Sequence, residues 1–313
     1  MALISVAAPS WLRKELEPAL MPVRKGVILA AGYGTRFLPA TKALPKEMLP
    51  IVDRPVIQYI VEEAVAAGLR QLIIVTSASK RALEDHFDRN PELEQALSQR
   101  GDDARLQEVC RLAGLAEIAF VRQQQPLGTG HAVLQARWLV GDEPFALFFP
   151  DDVIVSRTPA IGQLIEVYER HHKSVLAVLE VPKSEVYHYG VIDHEPLEPP
   201  VFRVRGMVEK PSPESAPSNL ISVGRFVLTP DIFPILEQTV AGQAGEIWLT
   251  DAISTLIARD GVYACQYEGE RFDTGQPIGL LKASLTLALK REGLGPELRS
   301  YMQQLLGSPT ETN

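Results

Sequence analysis

The apolar run Val27–Ala31 passes without a polar break into Gly32-Tyr33-Gly34-Thr35-Arg36. A buried strand ending on two close glycines lets the backbone approach an anion, with N–H groups free to point at phosphate oxygens. Arg36 adds a forked, permanently charged donor, and Lys46 supplies a further cation. The spacing is not the dinucleotide fingerprint, which needs a third glycine, nor a P-loop, which ends in Gly-Lys-Ser/Thr. The two glycines alone fit a tight β–α turn equally well. The phosphate reading gains from Arg36, Lys42 and Lys46 in a segment punctuated by Pro39, Pro45 and Pro50, which predicts a stiff extended loop. Lys42 by itself reads as a solvated side chain.

The rest of the chain limits what such a loop serves. With 313 residues, 46% hydrophobic and 22% charged, the chain can bury a full core. A net charge of −8 argues against a nucleic-acid coat or an anionic membrane surface, so any anion is held locally. Cys110 and Cys265 stand in no metal-ligand spacing and read as two reduced thiols of a cytoplasmic protein. Residues 1–24 lack a basic start and their apolar run stops at Pro9, which suits a helical or irregular arm better than a signal peptide. No apolar stretch reaches membrane-spanning length.

In chain order, Pro55 opens an amphipathic helix closed by Gly68, and residues 72–76 form a second buried strand, completing a β-α-β unit. Residues 80–114 predict one or two helices, acidic and without an assignable partner. Strand 118–123 follows, and Gly128-Thr129-Gly130 starts another helix. The strand FALFFP, 145–150, is apolar throughout, as a strand covered on both faces should be, and it ends at Asp151-Asp152. Ligands of open α/β sheets sit at the carboxyl edge, so the first loop, Gln123 and Asp151 should face one crevice. The second half is richer in strands separated by Pro-rich links, then helical at 276–291 and 294–306. No Ser-His-Asp or Cys-His arrangement stands out.

The stretch AAGYGTRFLPATKALPKEMLP, followed in order by FVRQQQPLGTGHAV, FFPDD, YGVID, VEKP, PSNLISVGRFVLTPDI, EIWLTDAI and FDTG, resembles the sugar-1-phosphate nucleotidyltransferases, in particular their bacterial uridylyltransferases. The resemblance spans about residues 24–291. It implies an α/β Rossmann-like nucleotidyltransferase fold, a mostly parallel central sheet flanked by helices with a β-rich sugar-side extension. It divides the chain into an arm at 1–24, the nucleotidyltransferase domain at 25–291 and a C-terminal helical tail at 292–313. The implied reaction joins UTP and glucose 1-phosphate into UDP-glucose and pyrophosphate with Mg²⁺.

By motif position, the resemblance gives Arg36 and Lys46 the triphosphate and the leaving pyrophosphate. It gives Ala31, Gly32 and the loop's Gly34 backbone contacts to the nucleotide, and Gln123 and Gly128 the uracil, where an amide can both donate and accept. Asp152 is expected to touch substrate. Gly190, Glu209 and Lys210 face the sugar phosphate, and Asp151 and Asp273 hold Mg²⁺. His131, at a helix start, takes a structural role. The resemblance further implies a homodimer or homotetramer with no nucleic-acid or membrane partner. Rivals are another base or sugar, such as dTTP or galactose 1-phosphate, and a non-catalytic nucleotide-sugar sensor.

Overall fold

The computed structural model describes residues 21–242 and 245–307. Strand β1 (Lys25–Leu29) leads into three single-turn 3-10 helices at Thr35–Phe37, Ala40–Lys42 and Lys46–Met48. A short ribbon, β2 (Pro50–Ile51) with β3 (Arg54–Pro55), then turns the chain into α1 (Val56–Ala66). The segment expected to be extended is therefore a string of tight turns. Pro39 and Pro45 each sit just before one, with φ of −86° and −54°, because a preset φ near that of a turn favours starting one.

Strand β4 (Gln71–Thr76) is followed by α2 (Arg81–Phe87), α3 (Pro91–Arg100) and α4 (Asp103–Ala113), three helices where one or two were expected. Their breaks are capped locally. Asn90 Oδ1 accepts the Leu93 N–H at 3.1 Å, and Asp102 Oδ1 accepts that of Arg105 at 3.3 Å. Next come β5 (Glu117–Arg122), α5 (Gly128–Gln135), α6 (Arg137–Val140), β6 (Phe145–Phe148), β7 (Asp152–Val155) and α7 (Ala160–His171). The second half holds β8 (Val175–Glu180), β9 (Gly190–Pro196), β10 (Val201–Glu209), β11 (Leu220–Leu228), α8 (Ile232–Gln238), α9 (Leu249–Asp260), β12 (Val262–Gln266), β13 (Glu270–Asp273), α10 (Pro277–Leu289) and α11 (Gly295–Gly307).

Nine strands form one sheet in the order β5-β4-β1-β6-β11-β8-β12-β10-β9. The α/β class holds. Parallel pairing is confined to β5-β4-β1-β6 and to β8–β12, while β11 runs antiparallel to both its neighbours and the β10–β9 hairpin forms the far edge. Alternation along β1 decides the layers. Ile28 packs with Ile57 and Ile60 of α1 and Leu164 of α7, whereas Val27 packs with Val133 of α5 and Phe233 of α8. Helices thus cover both faces, and the carboxyl ends of β1, β5 and β6 release Ala31, Gln123 and Asp151 on one edge.

Beside the sheet lies an antiparallel ribbon of β7 and β13 in which Asp152 stands opposite Asp273. Of the expected N-terminal arm, residues 1–20 lie outside the described residues. Among the described residues no helix is long and apolar enough to cross a membrane.

Candidate active site

The first loop, the ends of β5 and β6 and the segment before α9 enclose a cavity of about 370 Å³, lined by Ala31, Gly32, Lys46, Gln123, Gly128 and Asp151, with Trp248 at its side. Gly34 has φ +67°, and a Cβ there would fall 3.0 Å from the Lys46 Cβ. The missing side chain lets the loop fold directly onto Lys46. Thr41 Oγ1 secures this by donating to the Gly34 carbonyl at 2.8 Å. Behind it, Glu47 is 1% exposed and accepts two hydrogen bonds from Lys80 Nζ at 2.8 and 2.9 Å. Burial draws the Lys80 ammonium below its ordinary pKa despite that partner.

On the opposite wall of the cavity, Gly128 takes φ +93°, and a Cβ there would lie 2.6 Å from the Ile247 carbonyl. The turn is stitched to the segment before α9 by Gly130 N–H to Ile247 O and Ile247 N–H to Leu127 O, both 2.8 Å. Gln123 Nε2 donates to Gly128 O at 3.0 Å and lies 3.0 Å from His131 Nδ1. The amide is thereby fixed to the turn, with its Oε1 left to accept from a ligand. His131 serves as the structural anchor anticipated for it. Burial lowers its pKa, which suits a neutral ring.

Lys46 Nζ donates to Asp151 Oδ2 at 2.9 Å. Burial opposes its charge, but the Asp151 and Glu47 carboxylates outweigh this and hold its pKa above the ordinary value. Burial likewise acts to raise the Asp151 carboxyl, and Lys46 overrides it, leaving the net pKa below the usual range. Asp273 goes the other way, raised by burial with Asp152 and Asp151 adding to it against Arg271. A Cβ built on Gly275 would lie 3.1 Å from both Asp151 Oδ2 and Asp273 Oδ1, so the two carboxylates converge on one small glycine-lined space. Asp151 Oδ2 accepts from Lys46 and Asp273 Oδ1 from the Gly275 N–H at 3.1 Å; as hard oxygen donors the two carboxylates fit a cation that completes its shell from phosphate and water. Among the described residues no three His, Cys, Asp or Glu side chains cluster as a metal cage.

Asp152 does not join them. It is 6% exposed, with Oδ2 accepting the Gly224 N–H at 2.7 Å and Oδ1 accepting Arg271 Nε at 2.6 Å. Where a substrate contact was expected, the structure places a buried structural residue, because both carboxylate oxygens are taken by Gly224 and Arg271.

At the far edge of the sheet Gly190 and Glu209 pair across β9 and β10. A Cβ on Gly190 would collide with Met207 Cε and lie 3.3 Å from Glu209 Oε2. Lys210 follows at φ +47° and carries its ammonium 5.7 Å from the Trp248 ring centroid. Trp248 thus joins Lys210 to the cavity. Arg36, on the first 3-10 turn, is exposed and does not line the cavity, although its charge reaches Lys46. Phe149, Glu246 and Trp248 line the cavity without having been anticipated; Glu246 and Trp248 lie in the segment before α9, which starts at Leu249.

These contacts describe a class of protein: an α/β enzyme whose cavity lies at the carboxyl edge of its sheet, between a glycine loop, a lysine and a carboxylate pair. The chain belongs to the nucleotidyl transferase family, whose model matches residues 25–290. It is 49% identical over 284 residues to the UTP–glucose-1-phosphate uridylyltransferase of Bacillus subtilis, covering 91% of this chain and 97% of that one. Similarity to UTP–glucose-1-phosphate uridylyltransferase 1 of Staphylococcus saprophyticus is also 49%, over 91% of this chain and 99% of that one. Among solved structures, a UDP-glucose pyrophosphorylase complexed with UDP-glucose superposes with a TM-score of 0.78 at 44% identity, covering 86% of this chain and 100% of that one. A UTP-bound UGPase from Acinetobacter baumannii gives 0.84 at 41%, covering 92% and 100%.

Proposed function

We propose that this enzyme transfers the uridylyl group of UTP to glucose 1-phosphate, forming UDP-glucose and releasing pyrophosphate. The observation that carries the reading is 49% identity, sustained over 91% of the chain, to a UTP–glucose-1-phosphate uridylyltransferase. A sugar-phosphate oxygen attacks the α-phosphorus in line while pyrophosphate leaves from the far side. Such a transfer asks for positioning and charge neutralisation and for no protein nucleophile.

In this reading Ala31, Gly32 and Gly34 present loop backbone to the nucleotide, and Gln123 Oε1 accepts the N3–H of uracil beside Gly128. Lys46 and Arg36 stabilise charge on the departing pyrophosphate. Gly190 and Glu209 take sugar hydroxyls, and Lys210 the sugar phosphate. Asp151 and Asp273 would hold Mg²⁺, which would supply positive charge to offset that of the phosphates. We further infer a cytoplasmic homodimer or homotetramer with an arm at 1–24 and a tail at 292–313; both cysteines are free, in keeping with a reducing compartment.

Turnover of UTP, dTTP, ATP and GTP with glucose 1-phosphate, read as pyrophosphate release, tests this. UTP should lead in kcat/KM by at least about tenfold, the effect of one good polar contact. A preference for another nucleotide, or for galactose 1-phosphate over glucose 1-phosphate, would overturn the assignment.

A further inference from the structure

Behind the cavity, and lining no part of it, Glu63, Asp152, Arg225 and Arg271 form a buried charged cluster. Arg225, in β11, has no exposed surface. Its Nε donates to both Glu63 oxygens at 3.1 Å, and its Nη2 to Glu63 Oε2 at 2.7 Å. The other hydrogen bonds go to backbone carbonyls: Phe149 at 3.2 Å, Gly224 at 2.9 Å and Asp152 at 2.7 Å. Phe149 and Asp152 are the two ends of the turn that presents Asp151, a turn closed by Asp152 N–H to Phe149 O at 3.2 Å. Arg225 therefore grips that turn at both ends. Glu63 in turn accepts the Ile161 N–H at the start of α7, 3.1 Å away, which ties the grip to two helices.

Asp152 extends the arrangement to the second carboxylate. The register of β11 against β8 shifts between Ser222 and Phe226, and Gly224 turns its N–H to Asp152 Oδ2. The other oxygen holds Arg271 of β13, the strand on which Asp273 stands opposite Asp152. Arg271 lies 5.1 Å from the Tyr189 ring centroid, and the Tyr189 carbonyl accepts the Lys210 N–H at 2.9 Å. Buried ion pairs stabilise a fold little better than apolar side chains of the same volume. What apolar filling cannot do is orient carbonyls and tie one strand's register to another's.

We infer that Arg225 and Asp152 are positioning residues that set the separation and angle at which Asp151 and Asp273 meet a divalent cation. The inference rests on the metal reading above. It is tested by Mn²⁺ binding in the presence of UDP-glucose, without turnover, followed as loss of the free-Mn²⁺ electron paramagnetic resonance signal. The variants are Asp152→Asn and the double replacement Glu63→Met/Arg225→Met, which removes a whole ion pair and serves if Asp152→Asn, with Arg271 left unpaired, does not fold. Each folded variant should bind Mn²⁺ at least tenfold more weakly than the wild type. Its metal-free UDP-glucose affinity should stay within twofold and its melting remain cooperative, a pattern that a merely stabilising role would not produce. Wild-type Mn²⁺ affinity in a folded variant would overturn the inference while leaving the metal reading standing. A wild-type enzyme that takes up no Mn²⁺ with UDP-glucose would overturn both.

Discussion

Lys46 carries two charges' worth of consequence: it faces the cavity and neutralises Asp151 at 2.9 Å. Its ammonium is kept charged by Asp151 and Glu47 against burial, which is the state needed to meet a pyrophosphate. Replacing Lys46 with Met should lower kcat by about 10²–10³-fold, the usual effect of losing one preorganised charge at a transition state. Pyrophosphate release measures this, with circular dichroism confirming the fold; a loss under about threefold would remove Lys46 from the chemistry. The cation itself was legible from the sequence, where Gly34 and the prolines mark a loop built to carry it. The state of Gln123 was not. Its place at a strand end follows from pattern, but the orientation of its amide depends on Gly128 and His131 folding back onto it.

Among the elements, the β7–β13 ribbon determines whether the carboxylates meet, and α10 backs it. A Cβ on Gly279 would collide with the Asp273 carbonyl, so this helix rests on the strand with no side chain between. Gly279→Ala should push α10 off β13, cost about 1–3 kcal/mol as overpacking does, and raise the metal concentration needed for half-maximal activity. Denaturant melts and metal titrations would show it, and unchanged values in both would mean that α10 does not hold Asp273 in place. Neither ribbon strand was read from the sequence. Each is four residues long, Asp152–Val155 follows β6 after a single turn, and Glu270–Asp273 carries no periodic signal. By contrast β6 and α1 were legible, because a continuous apolar run and a proline-opened amphipathic helix are local signals.

For the whole molecule, three histidines on separate helices share one electrostatic condition. Burial lowers the pKa of His86, His131 and His171, with Arg170 and His172 adding to the effect on His171. A histidine whose folded pKa is depressed takes its proton first in the unfolded chain. The stability these groups allow is therefore full above about pH 6.5, the unfolded value, and declines as pH falls below it. Thermal melts at pH 8.0, 6.5 and 5.5 should show a falling midpoint across the last interval. A midpoint flat to pH 5.5 would contradict the lowered proton affinity of these half-buried rings.

Local chemistry along the chain determined the elements of the parallel half, the phosphate-loop character of Gly32–Arg36 and the sheet-edge position of Asp151. Side-chain period, prolines and glycines act over a few residues and are legible in order. Only the tertiary structure decided which distant groups meet: Lys46 with Asp151, Asp151 with Asp273 through Gly275, and Asp152 with Arg271 instead of substrate. Those pairings arise from strand order and register in a sheet whose neighbours are far apart in the chain. A one-residue change of register would turn every side chain of a strand to the other face without altering a single local preference.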